Sequence, residues 1–211
     1  MNYNTYRRLI KNKYALSTVV TTLIILVISV LLASVVTYFA INVVSTRVQE
    51  ESLALTKQHI WHNATATAGT VGSSQASLMV INTGGRDVVI DKLSIRGQDA
   101  PWNDTQTSNK KLVLYSVTND PVAADMPYVA NFSTTADSTV QIGSTSYTFQ
   151  VANNALVLRS GYTLLLYIVN PDSITINDIG LTASITLYTA QAMYYRETNV
   201  QAVDEIGIPA I

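Results

Sequence analysis

From Tyr14 to Thr46 the chain carries 33 residues without one charge. The core of this run reads LSTVVTTLIILVISVLLASVVTYFAINVV. About 20 apolar residues cross a bilayer as a helix, so the run is long enough to span one. Arg7, Arg8, Lys11 and Lys13 precede it against Arg47 alone just after it, an excess that places the N-terminus in the cytoplasm and the rest outside. The apolar stretch exceeds the roughly 7–15 residues of a secretory signal core. No A-x-A cleavage site follows it either, because Leu31 stands two positions before Ala33 and Tyr38 two before Ala40. The run is therefore expected to stay in the mature protein.

As a helix these uncharged residues would reach about 50 Å, against roughly 30 Å of hydrocarbon. RVQEESLALTKQHIWH continues without Gly or Pro, and Arg47 can meet Glu50 and Glu51 at helical spacing. Val48, Leu55 and Ile60 with Trp61 make a looser apolar stripe. One helix is expected from Leu16 to His62, apolar all round at first and amphipathic later. Its many β-branched residues weaken helix propensity in water, so the first part needs an apolar surround. Ser29, Ala33, Thr37 and Ala40 form a small-xxx-small face that lets another helix approach, and the Asn42 amide favours a helix neighbour over lipid. These five residues are the expected helix-packing set. The plainer alternative is a lone anchor that tolerates small residues.

After Asn63 the periodicity changes. Residues 63–75 read as a Gly/Ser/Thr linker, and 76–211 as an all-β domain. ASLMVIN, the turn Thr83-Gly84-Gly85 and DVVIDKLSIR come first; KLVLYSV ends at Asp120-Pro121. STVQIGSTSYTFQV reads as a hairpin around Gly143-Ser144, and ALVLRSG leads to YTLLLYIVN, stopped by Pro171. LTASITLYTAQAMYYRETNV closes the domain. YTLLLYIVN lacks alternation and should be a central strand buried on both faces. About eight strands without helices among them indicate a sandwich or barrel. The fold class is thus α+β: a long N-terminal hydrophobic helix followed by an all-β, sandwich-like globular domain.

Charged residues are only 13% of the chain, about half the usual share of roughly 25%, and the net charge is −1. Both facts argue against a basic nucleic-acid binder. With 0 cysteines, disulfides, thiolate metal sites and cysteine nucleophiles are excluded. His59 and His62 stand at a helical i, i+3 spacing that permits metal ligation, but Glu50 and Glu51 are more than two turns away, so a solvated helix end is the better reading. Asp87, Asp91, Asp99 and Asp104 are scattered among turns and strands and show no acid–base pair. Gly84-Gly85 lacks a phosphate-binding context, and Ser160-Gly161 lacks a full nucleophile elbow. No catalytic residue, cofactor or metal is assigned, and the chain reads as a non-enzyme. Three sequons fall in expected loops, at Asn63, Asn103 and Asn131, and mark candidate glycosylation sites. Trp61, Trp102 and Tyr194-Tyr195 read as core or interface aromatics.

Lys13-Tyr14-Ala15 followed by LSTVVTTLIILVISVLL resembles the class III signal peptide of archaeal type IV pilins. INTGGRDVVIDKLSIRG is similar to the first hairpin of many archaeal pilin and archaellin β-domains. The likeness covers the whole layout, with specific motif content in these two segments. It implies that a prepilin-peptidase-like membrane protease removes residues 1–15 by cutting between Ala15 and Leu16. It also implies a membrane-inserted precursor, pilus assembly machinery, and a homopolymer whose helices bundle inside while β-domains face solvent. Bacterial pilins carry a glutamate where this chain has Val20; archaeal members commonly lack it. An archaellin of the same plan is the first alternative, although LSTVVTTL does not open with the Gly-Ile-Gly-like segment typical of archaellins. A single-pass membrane protein with an exported binding sandwich is the second.

Overall fold

The computed structural model describes residues 13–48, 50–65, 73–106, 110–130, 132 and 136–203. They form two compact units, divided after Val48. Among the described residues the first consists of one helix, α1, Lys13–Val48, which begins three residues before the expected Leu16. Its hydroxyls are satisfied within the helix: Ser29 Oγ donates to the Ile25 carbonyl at 2.7 Å and Thr37 Oγ1 to that of Ala33 at 2.7 Å. Such back-bonding lets Ser and Thr sit in an apolar helix without an external partner. The span Ser17–Thr46 has the length and composition to cross a membrane. Its large apolar side chains are exposed, Phe39 to 68%, on every side of the helix.

The expected helix through His62 is not formed. α1 ends at Val48, and Leu53–Asn63 is instead the first strand, β1, against the expected amphipathic helix. The cause is a bulge that hid the strand's period. Leu53 and Leu55 face one core, as alternation requires. Lys57 then takes a left-handed φ of 52°, and three steps along β1 from Thr56 to His59 match two steps from Met79 to Ser77 on its neighbour. The extra residue flips the phase, so Ile60 joins Leu53 and Leu55 while Trp61 faces the opposite core. The resulting spacing imitates a helical stripe. Glu51 is likewise not a helix partner of Arg47. It accepts from Thr189 Oγ1 at 2.5 Å and lies 3.8 Å from the Arg86 guanidinium.

The described residues of the second unit form eleven strands rather than about eight. After β1 come β2 Ser74–Asn82, β3 Val88–Ile95, β4 Gln98–Ala100, β5 Leu112–Thr118, β6 Ser138–Ile142, β7 Thr145–Val151, β8 Leu156–Leu158, β9 Thr163–Val169, β10 Thr182–Thr189 and β11 Met193–Val203. The strand at β1 and the short β4 were not expected, and the closing segment divides into the β10–β11 hairpin. Asn63, Ser74 and Gln75 belong to strands rather than to a linker. The order is β4-β3-β10-β11-β1-β2-β9-β5-β7-β6, with β8 beside β3. β2 and β3 do not form the expected hairpin: β2 pairs with β1 and β9, whereas β3 pairs with β10, β4 and β8. Thr83–Gly85 is therefore part of a crossover between layers. β11 joins the layers, pairing with β10 over Met193–Asn199 and running parallel to β1 over Val200–Val203.

β9 is buried along its whole length, as its lack of alternation predicted. Leu164, Leu166 and Ile168 point into a first core, where Leu78 and Val80 of β2 meet Ile90, Leu93 and Ile95 of β3 and Ile185 and Leu187 of β10. Leu165, Tyr167 and Val169 point into a second core with Met79, Leu112 and Leu114. The first core makes the unit sandwich-like. The second is covered by Val140, Ile142 and Phe149 of the β6–β7 hairpin and by Met126 and Phe132. That hairpin turns on Gly143-Ser144 as expected, with Gly143 at φ 64°; a Cβ there would meet Ala124 at 2.7 Å.

Because Leu166 is fully buried and Val157 is 61% exposed, the two separate core from surface. Leu166→Ala is expected to lose about 2–5 kcal/mol of β-unit stability. Val157→Ala should stay within about 0.5 kcal/mol of the parent. Urea unfolding of the full chain in detergent, followed by tryptophan fluorescence, measures both.

Candidate functional site

Among the described residues α1 offers the most extensive feature, a helix surface that is apolar on all sides. At about 100° per residue, Ser29, Ala33, Thr37 and Ala40 fall within about 80° of one another, as expected. Asn42 does not share their face: the same geometry puts it about 180° from the middle of the stripe. Its amide makes no hydrogen bond among the described residues. The stripe hydroxyls donate back into the helix, so the face is small and offers close van der Waals approach rather than free donors. The Ala15–Leu16 bond lies inside the described helix.

The two histidines do not line one helix face. Both sit on β1, where the bulge separates their surroundings. His59 Nε2 lies 2.9 Å from Asp125 Oδ1, and its ring stacks on Trp61 at 5.1 Å. His62 is buried, and its Nδ1–H donates to the Asn63 carbonyl at 3.1 Å. Burial pushes the His62 pKa below its ordinary value, although the Asp178 carboxylate opposes this. Among the described residues, no three His, Cys, Asp or Glu side chains come together as a metal would require.

The acidic residues are engaged separately. Asp87 Oδ1 accepts from the Ser160 backbone N–H at 3.0 Å, Asp99 pairs with Lys92 at 2.9 Å, and Asp104 accepts from the Gln106 N–H at 3.3 Å. The Ser160 hydroxyl is spent on the Gly84 carbonyl at 2.6 Å. Gly84 itself is required by close approach, since a Cβ would stand 2.7 Å from the Glu50 carbonyl oxygen. Sequence reading overlooked Asp178, a buried carboxylate. It accepts from Thr175 N and Oγ1, both at 2.8 Å, and pairs with Arg96. Burial pushes its carboxyl up, but the Thr175 hydrogen bonds and the Arg96 charge outweigh this and hold it below the usual range. The cluster fastens the segment before β10 to the β3–β4 turn.

The sequons differ. Asn63 ends β1 and is buried; its Oδ1 accepts from Thr65 N at 3.0 Å and from Thr65 Oγ1 at 2.8 Å. It is not the exposed loop position expected of a glycan acceptor. Asn103 is exposed beside a bridge to Leu112, with Nδ2 donating to Asn153 Oδ1 at 2.7 Å. Asn131 lies outside the described residues. Trp61 is in the second core, Trp102 and Tyr194 pack against the first, and Tyr195 is 51% exposed. Lys57, Gln75 and Asp125 were also overlooked. They hold an irregular segment against β1 and β2, through contacts more than 50 positions apart that no local motif announces.

No protein-family model matches the chain, and no curated protein does.

The lowered His62 pKa sets a pH dependence. The unfolded imidazole titrates near pH 6.5 and the folded one lower, so the unfolded state binds more protons between the two values. The stability from this source is complete above about pH 6.5 and is lost as pH falls toward the folded value. Urea midpoints of the full chain should fall between pH 7.5 and 5.5, and His62→Gln should flatten that slope. An equal slope in the variant would remove His62 as its cause.

Proposed function

We propose that this chain is the structural subunit of an archaeal type IV-like surface pilus and assembles through α1. The observation that carries the reading is a 36-residue helix with apolar side chains exposed on every side, joined to a sandwich-like β-unit. Such a helix has no polar face to turn toward water. Its surround must therefore be lipid in the precursor and other copies of the same helix after assembly. The small stripe supports close packing on one side, and Asn42 supports a polar contact on the other. Two different faces meeting neighbouring copies make a heterologous contact, which propagates into an open helical polymer rather than closing into a dimer.

In this reading a prepilin-peptidase-like protease removes the basic leader between Ala15 and Leu16, and assembly machinery draws subunits from the membrane. The precursor's N-terminus is cytoplasmic and the β-unit is displayed outside. The role is structural and adhesive, without catalysis, cofactor or nucleic acid. An archaellin would share this plan.

Shearing cells that express the chain tests the reading. Filaments built from this protein, with a mass beginning at Leu16, are the expected result. Recovery only in a detergent-extracted membrane fraction would favour a single-pass membrane protein instead. Ala33→Trp should insert into membranes yet block or alter the filament, because overpacking one contact costs about 1–3 kcal/mol and the contact repeats at every subunit.

The exposed Asn103 sequon is the acceptor this surface favours for a glycan. Peptide mass spectrometry of sheared filaments should find sugar on Asn103 and none on the buried Asn63. Unmodified Asn103 throughout would leave hydration of the weakly charged surface to its Ser, Thr and Asn side chains.

A further inference from the structure

Between β5 and β6, residues 121–130 run without regular structure across the second core, contributing Val122, Ala124, Met126, Tyr128 and Val129 to its cover. The sheet holds this strap chiefly through its backbone. Gln75 Oε1 accepts from the Val129 N–H at 3.3 Å while Gln75 Nε2 donates to the Val129 carbonyl. Tyr167 OH donates to the Pro127 carbonyl at 2.7 Å. The densest attachment is at the β1 bulge, where Lys57 Nζ donates to the carbonyls of Val122 at 2.7 Å, Ala123 at 2.6 Å and Ala124.

Three consecutive carbonyls do not converge in extended chain, where successive carbonyls point to opposite sides. Bringing them together sets the negative ends of three peptide dipoles against one another. The adjoining Asp125 carboxylate adds a full negative charge, partnered by His59 at 2.9 Å. Such an arrangement calls for a positive charge at its focus. An ammonium has three N–H donors and no acceptor, which matches three carbonyl oxygens one for one.

We propose that the Val122, Ala123 and Ala124 carbonyls form a cation site whose resident cation is the Lys57 ammonium, a tethered substitute for a bound ion that locks the strap over the second core. The bulge serves both purposes, since the residue that shifts the phase of β1 is the residue that supplies the charge. Three neutral carbonyl oxygens fall short of the six to eight oxygens that calcium takes and of the octahedral set that magnesium demands. Emptied of its lysine, the site takes a primary ammonium rather than either divalent ion.

The test is thermal unfolding of the full chain in detergent micelles, parent against Lys57→Ala. The variant is expected to melt roughly 4–8 °C lower, as the loss of charge-assisted hydrogen bonds in a unit this size implies. Propylammonium chloride should restore at least half of that loss. Tetramethylammonium chloride at the same ionic strength, which has no N–H to donate, should not. A variant as stable as the parent, or equal effects of the two salts, overturns the proposal. If Lys57→Ala does not fold, acetic anhydride labelling of the parent decides. Lys57 should acetylate at least about tenfold more slowly than Lys92, because Lys57 has three carbonyl partners to break from whereas Lys92 has one exposed ion pair with Asp99. Equal labelling rates overturn the proposal as well.

Discussion

A sheet buried on both faces needs two covers, and the β-unit is organised around supplying them. β2 and β9 lie at the middle of the strand order, and alternate residues of β9 enter different cores. Alternation along a strand makes this unavoidable when every residue is apolar, because successive side chains leave opposite faces. One cover is a second sheet layer, reached by the β2–β3 crossover and closed by β11, which divides its pairing between β10 and β1. The other is composite, a hairpin plus an irregular strap. The strap's backbone groups cannot pair within a ladder, so the sheet answers them with side chains, from Lys57, Gln75 and Tyr167.

The bulge in β1 is where the two covers are reconciled. Before Lys57 the strand gives its leucines to the first core; after it, Ile60 continues there while Trp61 serves the second. A regular strand would have sent Ile60 to the wrong side. The left-handed backbone at Lys57 is unfavourable for a residue with a Cβ, and three carbonyl partners for its ammonium offset that strain.

The helix presents the opposite situation. Where the β-unit encloses its apolar surface, α1 leaves its own exposed along the whole of Ser17–Thr46. Satisfied hydroxyls make it indifferent to whether lipid or protein surrounds it. In the proposed role as a filament subunit, that indifference would let the helix exchange one apolar surround for another. The opposed placement of the small stripe and Asn42 gives the helix two dissimilar faces.

The uncharged run, its length and its basic flank determined α1 by themselves, because a helix satisfies its own backbone and needs no distant partner to be legible. The unbroken apolar stretch of β9 likewise declared burial on both faces, and Gly143-Ser144 declared its turn. The end of α1 was not legible. Residues 53–63 carry no helix breaker, and the bulge scrambles the period of two, so only pairing with β2 and β11 decides that they are a strand. Nor could the sequence show that Asn63 is buried while Asn103 is exposed, since identical motifs differ only in what packs over them. The cradle around Lys57 was hidden for the same reason. Its carbonyls belong to every residue type alike, and only the tertiary fold, by curling three of them toward one ammonium more than 60 positions away, gives them a distinct chemistry.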